Sequence, residues 1–226
     1  GEEGLVLLAK ALASKNTTSL EQVHLEHLSE FGSKASQAFG ELIESNKTSL
    51  RVLSLSMKAT NNRAGFSGGE SLKYNTSLKR LALLHFDLST RDAILLARGI
   101  QEGALVMQQL SLVGTRMTTR GLKAFADMLK SSRTKLDEAN FGYANMTNIG
   151  AHALGRAFVF NQSLRVMRVG NRNMTRIGCE ALKDGLAFNV KLERLVEMST
   201  ESHHMPIEFV RDVCSMTRNE ERLQLR

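Results

Sequence analysis

The sequence repeats one phrase at a nearly constant interval, and this feature limits the possible folds more than any other. Each copy begins with an apolar residue, which we call the anchor. The next two positions of the pattern, typically apolar, follow three and five residues after the anchor. The anchors are Leu20, Leu50, Leu78, Met107, Leu136, Leu164 and Leu192. Their successive differences are 30, 28, 29, 29, 28 and 28 residues. A fixed period of this length indicates a solenoid of stacked repeats.

The second half of each unit changes from an alternating to a helical pattern. Gly150, Leu154 and Phe158 are spaced four residues apart, which places them on one face of a helix. The next unit repeats this spacing, and the segment 206–214 repeats it again with Pro206 in the first helical turn, where proline is tolerated. A strand followed by a helix in every unit predicts an α/β right-handed solenoid, with a parallel sheet on the concave face and helices on the convex face.

The phrase Leu164–Gly178, LRVMRVGNRNMTRIG, resembles a leucine-rich repeat of the ribonuclease-inhibitor type. The resemblance extends over essentially the whole chain and implies a horseshoe of about seven repeats. It is shared with NOD-like receptors and with Ran-type GTPase-activating proteins. Proteins of this type generally bind other proteins, so the resemblance implies a binding surface.

Two departures from the family pattern predict local irregularities. The position eight residues after each anchor, where the family has asparagine, holds other residue types, so the loop backbone needs other hydrogen-bond partners. In addition, Glu197 stands where the last strand needs a buried apolar residue, so we expect either a register slip there or the end of the sheet. The residues at the asparagine position are Leu28, Lys58, Phe86, Thr115, Ala144, Arg172 and Thr200.

The repeats run from one end of the sequence to the other, and we expect a single domain over 1–226. Residues 1–16 read as the helix of a partial repeat, 20–217 as seven repeats, and 218–226 as a partial repeat or cap. Neither end has the polar capping repeat that a solenoid needs. The sequence therefore predicts a segment of a longer chain, or a chain whose caps are irregular.

Composition excludes several protein classes. The chain has 226 residues, a formal net charge of +7 and two cysteines, which cannot form a disulfide scaffold. It contains no apolar run long enough to span a membrane, and no signal peptide is visible at its start. These features predict a cytoplasmic protein.

Motifs for catalysis and metal binding are weak. The segment Gly65–Gly69 matches the G-x-S-x-G pattern of hydrolases, but it lies in a repeat loop and not in a doubly wound sheet. His27 and His85 share a repeat position two units apart, a distance of about 10 Å that is too long for one metal ion. We therefore predict no catalytic residue, no metal, no cofactor and no small-molecule substrate.

The concave sheet is the usual binding face of such a solenoid, and strand alternation defines its outward positions. The charges there are mixed, which favours a protein partner and disfavours a nucleic acid. Strand spacing places Asp137, Arg165 and Glu193 side by side, so we expect a cross-strand charge ladder. The candidate binding residues of this face are Lys79, Arg80, Asp137, Glu138, Asn140, Arg165 and Arg168.

Positive charge collects in the strand-to-helix loops and the first helical turns, which stack along one edge that we call the rim. Three arginines stand thirteen residues after consecutive anchors. Three more lie in the strand-to-helix loops along the same edge. Arginine suits carboxylate and phosphate, so we expect this rim to bind an acidic or phosphorylated protein segment. The candidate rim residues are Arg63, Arg91, Arg120, Arg116, Arg172 and Arg176.

The function predicted from these features is a non-enzymatic protein-interaction scaffold that uses the concave face, the rim or both. One alternative is a GTPase-activating protein of the Ran-activator type, with the polar loop Lys58–Gly65 at the partner's active site. The other is a binder of actin or tubulin. It rests on Leu112–Arg116 and the helical segment after it, which resemble the repeat domain of tropomodulins.

Overall fold

Strands and helices alternate along the chain as the repeat predicts. A computed structural model describes residues 1–14, 19–45, 49–58, 64–103, 106–144, 146–170, 174–197 and 223–225. The helices are α1 Glu2–Leu12, α2 Ser33–Ser45, α3 Thr90–Glu102, α4 Thr119–Lys130, α5 Asn148–Phe160 and α6 Arg176–Phe188. The strands are β1 Gln22–Leu28, β2 Val52–Met57, β3 Arg80–Leu84, β4 Asp87–Leu88, β5 Gln109–Ser111, β6 Arg116–Met117, β7 Glu138–Phe141, β8 Val166–Val169, β9 Arg194–Glu197 and β10 Leu223–Leu225. The predicted helix at 206–214 lies outside the described residues.

The main sheet is parallel and its register follows the sequence period. Its eight strands lie in the order β1-β2-β3-β5-β7-β8-β9-β10, while β4 and β6 form a separate pair. The residues three positions after the anchors face one another across neighbouring strands, and those with described side chains are buried. This row confirms the predicted leucine-rich-repeat solenoid. Its members are Val23, Leu53, Leu81, Leu110, Ala139, Met167 and Leu195, and Leu223 of β10 continues the row beside Leu195.

The last repeats do not behave as Glu197 led us to expect. Glu197 pairs with Val169 of β8 on one side and with Leu225 of β10 on the other. The register therefore does not slip, and the sheet does not end at β9, so both expectations were wrong. Parallel ladders are held by backbone hydrogen bonds, and the buried residues Leu195 and Val196 fix the register of β9.

The family's asparagine position is buried in the third, fourth and fifth repeats, where it is filled in three different ways, while Leu28 is half-buried there and Lys58 is exposed. Phe86 packs edge-on against Phe31, with 5.2 Å between ring centroids. Thr115 donates its hydroxyl to the Leu112 carbonyl at 2.8 Å, and Ala144 is fully buried. Aromatic packing, a local hydroxyl bond and a small apolar side chain thus replace the loop asparagines.

A different set of asparagines ties each helix end to the next strand. The Asn75 amide donates to the Ile43 carbonyl of the preceding repeat at 2.6 Å, while its oxygen accepts from the Leu78 backbone N–H at 2.7 Å. Asn161 and Asn189 repeat this arrangement. All three are buried, because only a buried amide can satisfy groups on both sides of this turn. These asparagines lie in the helix-to-strand turns, at the opposite edge of the repeats from the family's asparagine position.

The second repeat has a 3₁₀ helix, Gly68–Tyr74, in place of an α-helix. A Cβ atom on Gly68 would lie 2.9 Å from the Cα of Gly40, and one on Gly69 would lie 2.6 Å from the backbone of Leu96. The neighbouring helices α2 and α3 therefore approach the 3₁₀ helix more closely than side chains at Gly68 and Gly69 would allow. Glycine is also a poor former of α-helix. Among the described residues no helix is long and apolar enough to cross a membrane.

Candidate protein-binding surfaces

The charge ladder predicted for the concave face is present. The guanidinium of Arg165 lies 3.5 Å from Asp137 and bonds both carboxylate oxygens of Glu193, at 2.9 and 3.1 Å. The hydrogen bond from Glu193 and the charge of Asp137 raise the pKa of Arg165. The positive charge of Arg165 is therefore already balanced within the chain by Asp137 and Glu193.

A second set of predicted concave residues is also engaged within the chain. Arg168 forms an ion pair with Glu138, which also accepts from the Gln109 amide at 3.4 Å. The Asn140 side chain accepts from the backbone N–H of Gly142 at 3.0 Å. A partner at this part of the sheet would have to compete with these contacts.

Lys79 and Arg80 differ from the other concave candidates. They lie at the start of β3, where the neighbouring outward positions on β5 are the uncharged Gln108 and Gln109. Within the described part of the chain neither cation forms an ion pair. Arg80 is exposed and Lys79 is half-buried. Their charge is thus available to a partner.

The predicted rim residues divide into three groups. Arg91, Arg116 and Arg120 are exposed and form no ion pair with any described residue. Arg176 bonds Glu180 one helical turn away at 2.9 Å. Arg63 and Arg172 lie outside the described residues. We refer to Lys79, Arg80, Arg91, Arg116 and Arg120 as the central cations, since they belong to two consecutive repeats.

Hydroxyl and amide side chains hold the helix starts in line along the rim. Thr90 bonds Thr118 at 2.8 Å, and Thr119 bonds Thr147 at 3.3 Å. The next link is formed by Asn148, whose amide nitrogen donates to the Thr175 hydroxyl at 2.9 Å. Thr118 and Thr147 also cap their own helices, so each turn is fixed both within its repeat and to its neighbour.

A hollow of about 800 Å³, not predicted from the sequence, opens in the rim where the strands end. His85, Gly114 and Tyr143 line it, and all three have left-handed backbone, with φ of 62°, 67° and 55°. Arg116 reaches the same hollow. The three residues stand seven positions after successive anchors, so alignment of the repeats could have indicated a shared turn. Gly114 leaves the space that the His85 ring fills.

A second missed feature is a groove of about 360 Å³ between α3 and α4 on the convex face. Arg98 and Lys123 line it together with Arg120. All three are exposed, and none forms an ion pair within the described part of the chain. Asp127 also lines this groove, but it is bonded to Lys130 at 2.6 Å. The basic character of the central repeats therefore continues from the rim onto the helices.

The weak chemical motifs acquire no catalytic surroundings among the residues described. The hydroxyl of Ser67 lies 3.0 Å from that of Ser36, and its backbone N–H bonds the same side chain. No group of His, Cys, Asp or Glu in the described residues could hold a metal ion. Most of the loop suggested for the GTPase-activator alternative, 59–63, lies outside them.

Comparison with known proteins identifies the fold. No family model and no curated protein matches the chain. A solved structure of leiomodin-1 actin-binding site 2 matches 66% of this chain and 84% of its own, with a TM-score of 0.57 and 19% identity. The tropomodulin C-terminal domain of Caenorhabditis elegans matches 93% of this chain and 90% of its own, with a TM-score of 0.45 and 12% identity. The chain therefore shares the leucine-rich-repeat-like fold of the leiomodin-1 domain.

Proposed function

We propose that this chain is a non-enzymatic, cytoplasmic protein-binding domain with repeats of the ribonuclease-inhibitor type, and that its partner is an acidic surface of the actin cytoskeleton. The leiomodin-1 domain that shares its fold is named as an actin-binding site. That similarity supports the cytoskeletal alternative above the general scaffold and above the GTPase activator.

The observation that carries the proposal is the unpaired charge of the central cations. Arg91, Arg116 and Arg120 are exposed on the rim, and the chain as a whole has a formal net charge of +7. Unpaired exposed arginines attract and orient an acidic partner, while arginines already paired within the chain add little. The rim is therefore favoured over the concave face, where Arg165 and Arg168 are already ion-paired.

Co-sedimentation with actin filaments tests the proposal, together with binding to actin monomers. The test variant is Arg91→Glu/Arg120→Glu. Arg133→Glu/Arg156→Glu is the matched control, because it makes the same charge change at two exposed arginines that lie away from the helix starts. Both variants must unfold at the same urea concentration as the wild type.

We expect the wild type and the control to bind, and the test variant to bind about tenfold more weakly or worse, since two favourable contacts become repulsive. The difference should shrink as salt is raised. If both variants lost actin binding equally, the rim would contribute only through the net charge of the chain. Absence of actin binding by the folded wild type would reject the actin proposal.

A further inference from the structure

Four exposed side chains form a line along the rim, one from each of four consecutive helices. They are Arg91 of α3, Arg120 of α4, Ile149 of α5 and Ile177 of α6, each the second residue of its helix. Each also stands thirteen residues after its own anchor. We call this line the helix-start stripe. It changes from basic to apolar at its midpoint.

The stripe is continuous because the neighbouring side chains lock the helix starts together. The hydroxyl contacts Thr90–Thr118 and Thr119–Thr147 and the amide contact Asn148–Thr175 join each helix start to the next. The second residues of the helices are thereby held in a row. Helices packed side by side have axes roughly 9 Å apart, so the four positions extend over roughly 27 Å.

The isoleucines of the stripe are not part of the core. Ile149 is 63% exposed and Ile177 is 69% exposed, while Leu154 and Leu182 of the same helices are fully buried. Scattered exposed apolar residues are normal on protein surfaces. Two at the same repeat position, directly in line with two unpaired arginines, make a surface with a basic half and an apolar half.

We infer that the helix-start stripe binds one extended segment of another protein, with acidic residues at Arg91 and Arg120 and apolar residues at Ile149 and Ile177. The inference rests on the proposed protein-binding function and adds the order of side chains in the bound segment. An extended chain advances roughly 3.3 Å per residue, so roughly every third residue of that segment meets the stripe. Arginine suits the carboxylates, and burial of isoleucine favours the apolar half.

Two synthetic peptides of the same composition test this order. The block peptide is Glu-Ser-Ser-Glu-Ser-Ser-Leu-Ser-Ser-Leu, and the interleaved peptide is Glu-Ser-Ser-Leu-Ser-Ser-Glu-Ser-Ser-Leu. The block peptide matches the stripe when its amino terminus lies at Arg91, and the interleaved peptide matches it in neither chain direction. Backbone amide NMR titration at up to millimolar peptide measures both affinities. We expect the block peptide to bind about tenfold more tightly, a difference of one well-placed apolar contact.

Variants of the protein make the test specific to the stripe. Ile149→Ser/Ile177→Ser should lose the preference for the block peptide. Phe160→Ser/Phe188→Ser is the matched control and should keep it, because it removes two exposed apolar residues from the other end of the same helices. The exchange Arg120→Ile/Ile149→Arg interleaves the stripe, so it should transfer the preference to the interleaved peptide.

The outcomes separate this inference from the proposed function. Equal affinity for the two peptides, or an exchange variant that keeps the wild-type preference, would overturn the inference even if actin binds. A stripe variant that changes self-association and leaves peptide binding unaltered would also overturn it, since the stripe would then join copies of the chain. Block selectivity without actin binding would support the stripe and reject actin as the partner.

Discussion

The central repeats, 78–135, and the C-terminal repeats, 136–197, share one backbone plan but use charge differently. On the concave face the C-terminal repeats carry three acidic residues, Asp137, Glu138 and Glu193, beside three arginines, Arg165, Arg168 and Arg194. The central repeats carry cations without acids on that face. Equivalent positions thus hold ion pairs around Arg165 and Arg168 in one region and cations without ion pairs in the other.

The exposed residues at the helix starts also lose positive charge from the central to the C-terminal repeats. The second residue of the helix is an arginine in α3 and α4 and an isoleucine in α5 and α6. The buried residues of the repeats decide where these side chains stand, because they fix the register. The exposed residue types decide what each region can bind. A repeat framework therefore separates stability from specificity.

The largest expected effect is a loss of stability when one of the buried asparagines that join successive repeats is removed. Replacing Asn161 by Ala leaves the Leu129 carbonyl and the N–H groups of Ser163 and Leu164 without their partner. Buried groups left unsatisfied should lower the free energy of unfolding by about 3 kcal/mol, measured by urea denaturation.

Asn75→Ala should have the same effect in the earlier repeat, because its amide makes the equivalent bonds. Asn140→Ala is the control, since that half-buried side chain accepts only a local bond from Gly142. If Asn161→Ala were no more harmful than Asn140→Ala, the buried asparagines would not hold the repeats together.

A smaller effect distinguishes the paired from the unpaired cations. Arg165→Ala should lower the melting temperature at low salt, because Asp137 and Glu193 lose the guanidinium between them. Arg80→Ala should leave it unchanged or raise it slightly, since removal of an unpaired cation reduces repulsion in a positively charged chain.

Thermal unfolding at low and at high salt measures this contrast, because salt screens exposed ion pairs. The deficit of the Arg165 variant should shrink in high salt. A melting temperature lowered equally by the two substitutions would remove the distinction between the regions.

The smallest expected effect is the shift that one central cation, Arg91, causes in the pKa of Glu70. The hydrogen bond and charge of Lys73 lower the pKa of Glu70, and Arg91 lowers it further. A folded-state pKa below the unfolded value stabilises the fold above the unfolded pKa, and that contribution is lost as pH falls through the folded pKa.

Carboxyl-carbon NMR titration should therefore give a midpoint for Glu70 below its ordinary value of 4.5. Lys73→Met should raise the midpoint most, and Arg91→Gln should raise it less. No change with Arg91→Gln would show that this central cation is fully screened by solvent.

The period of the sequence was sufficient to predict the architecture. Anchors 28–30 residues apart place Leu53, Leu81 and Leu110 on adjacent strands, because a parallel sheet pairs equivalent positions of successive repeats. The same logic predicted the ladder through Asp137, Arg165 and Glu193. The expectation at Glu197 was wrong because one polar residue does not outweigh the backbone pairing around it.

The sequence by itself determined the solenoid, its register and the line of arginines on the rim, since all of these depend on the repeat interval. The tertiary structure decided which charges stay available, because Arg168 forms an ion pair with Glu138, whereas Arg116 is exposed and forms no ion pair with any described residue. It also brought the left-handed turns at His85 and Tyr143 together around one hollow. That hollow depends on the stacking of repeats, which no single repeat encodes.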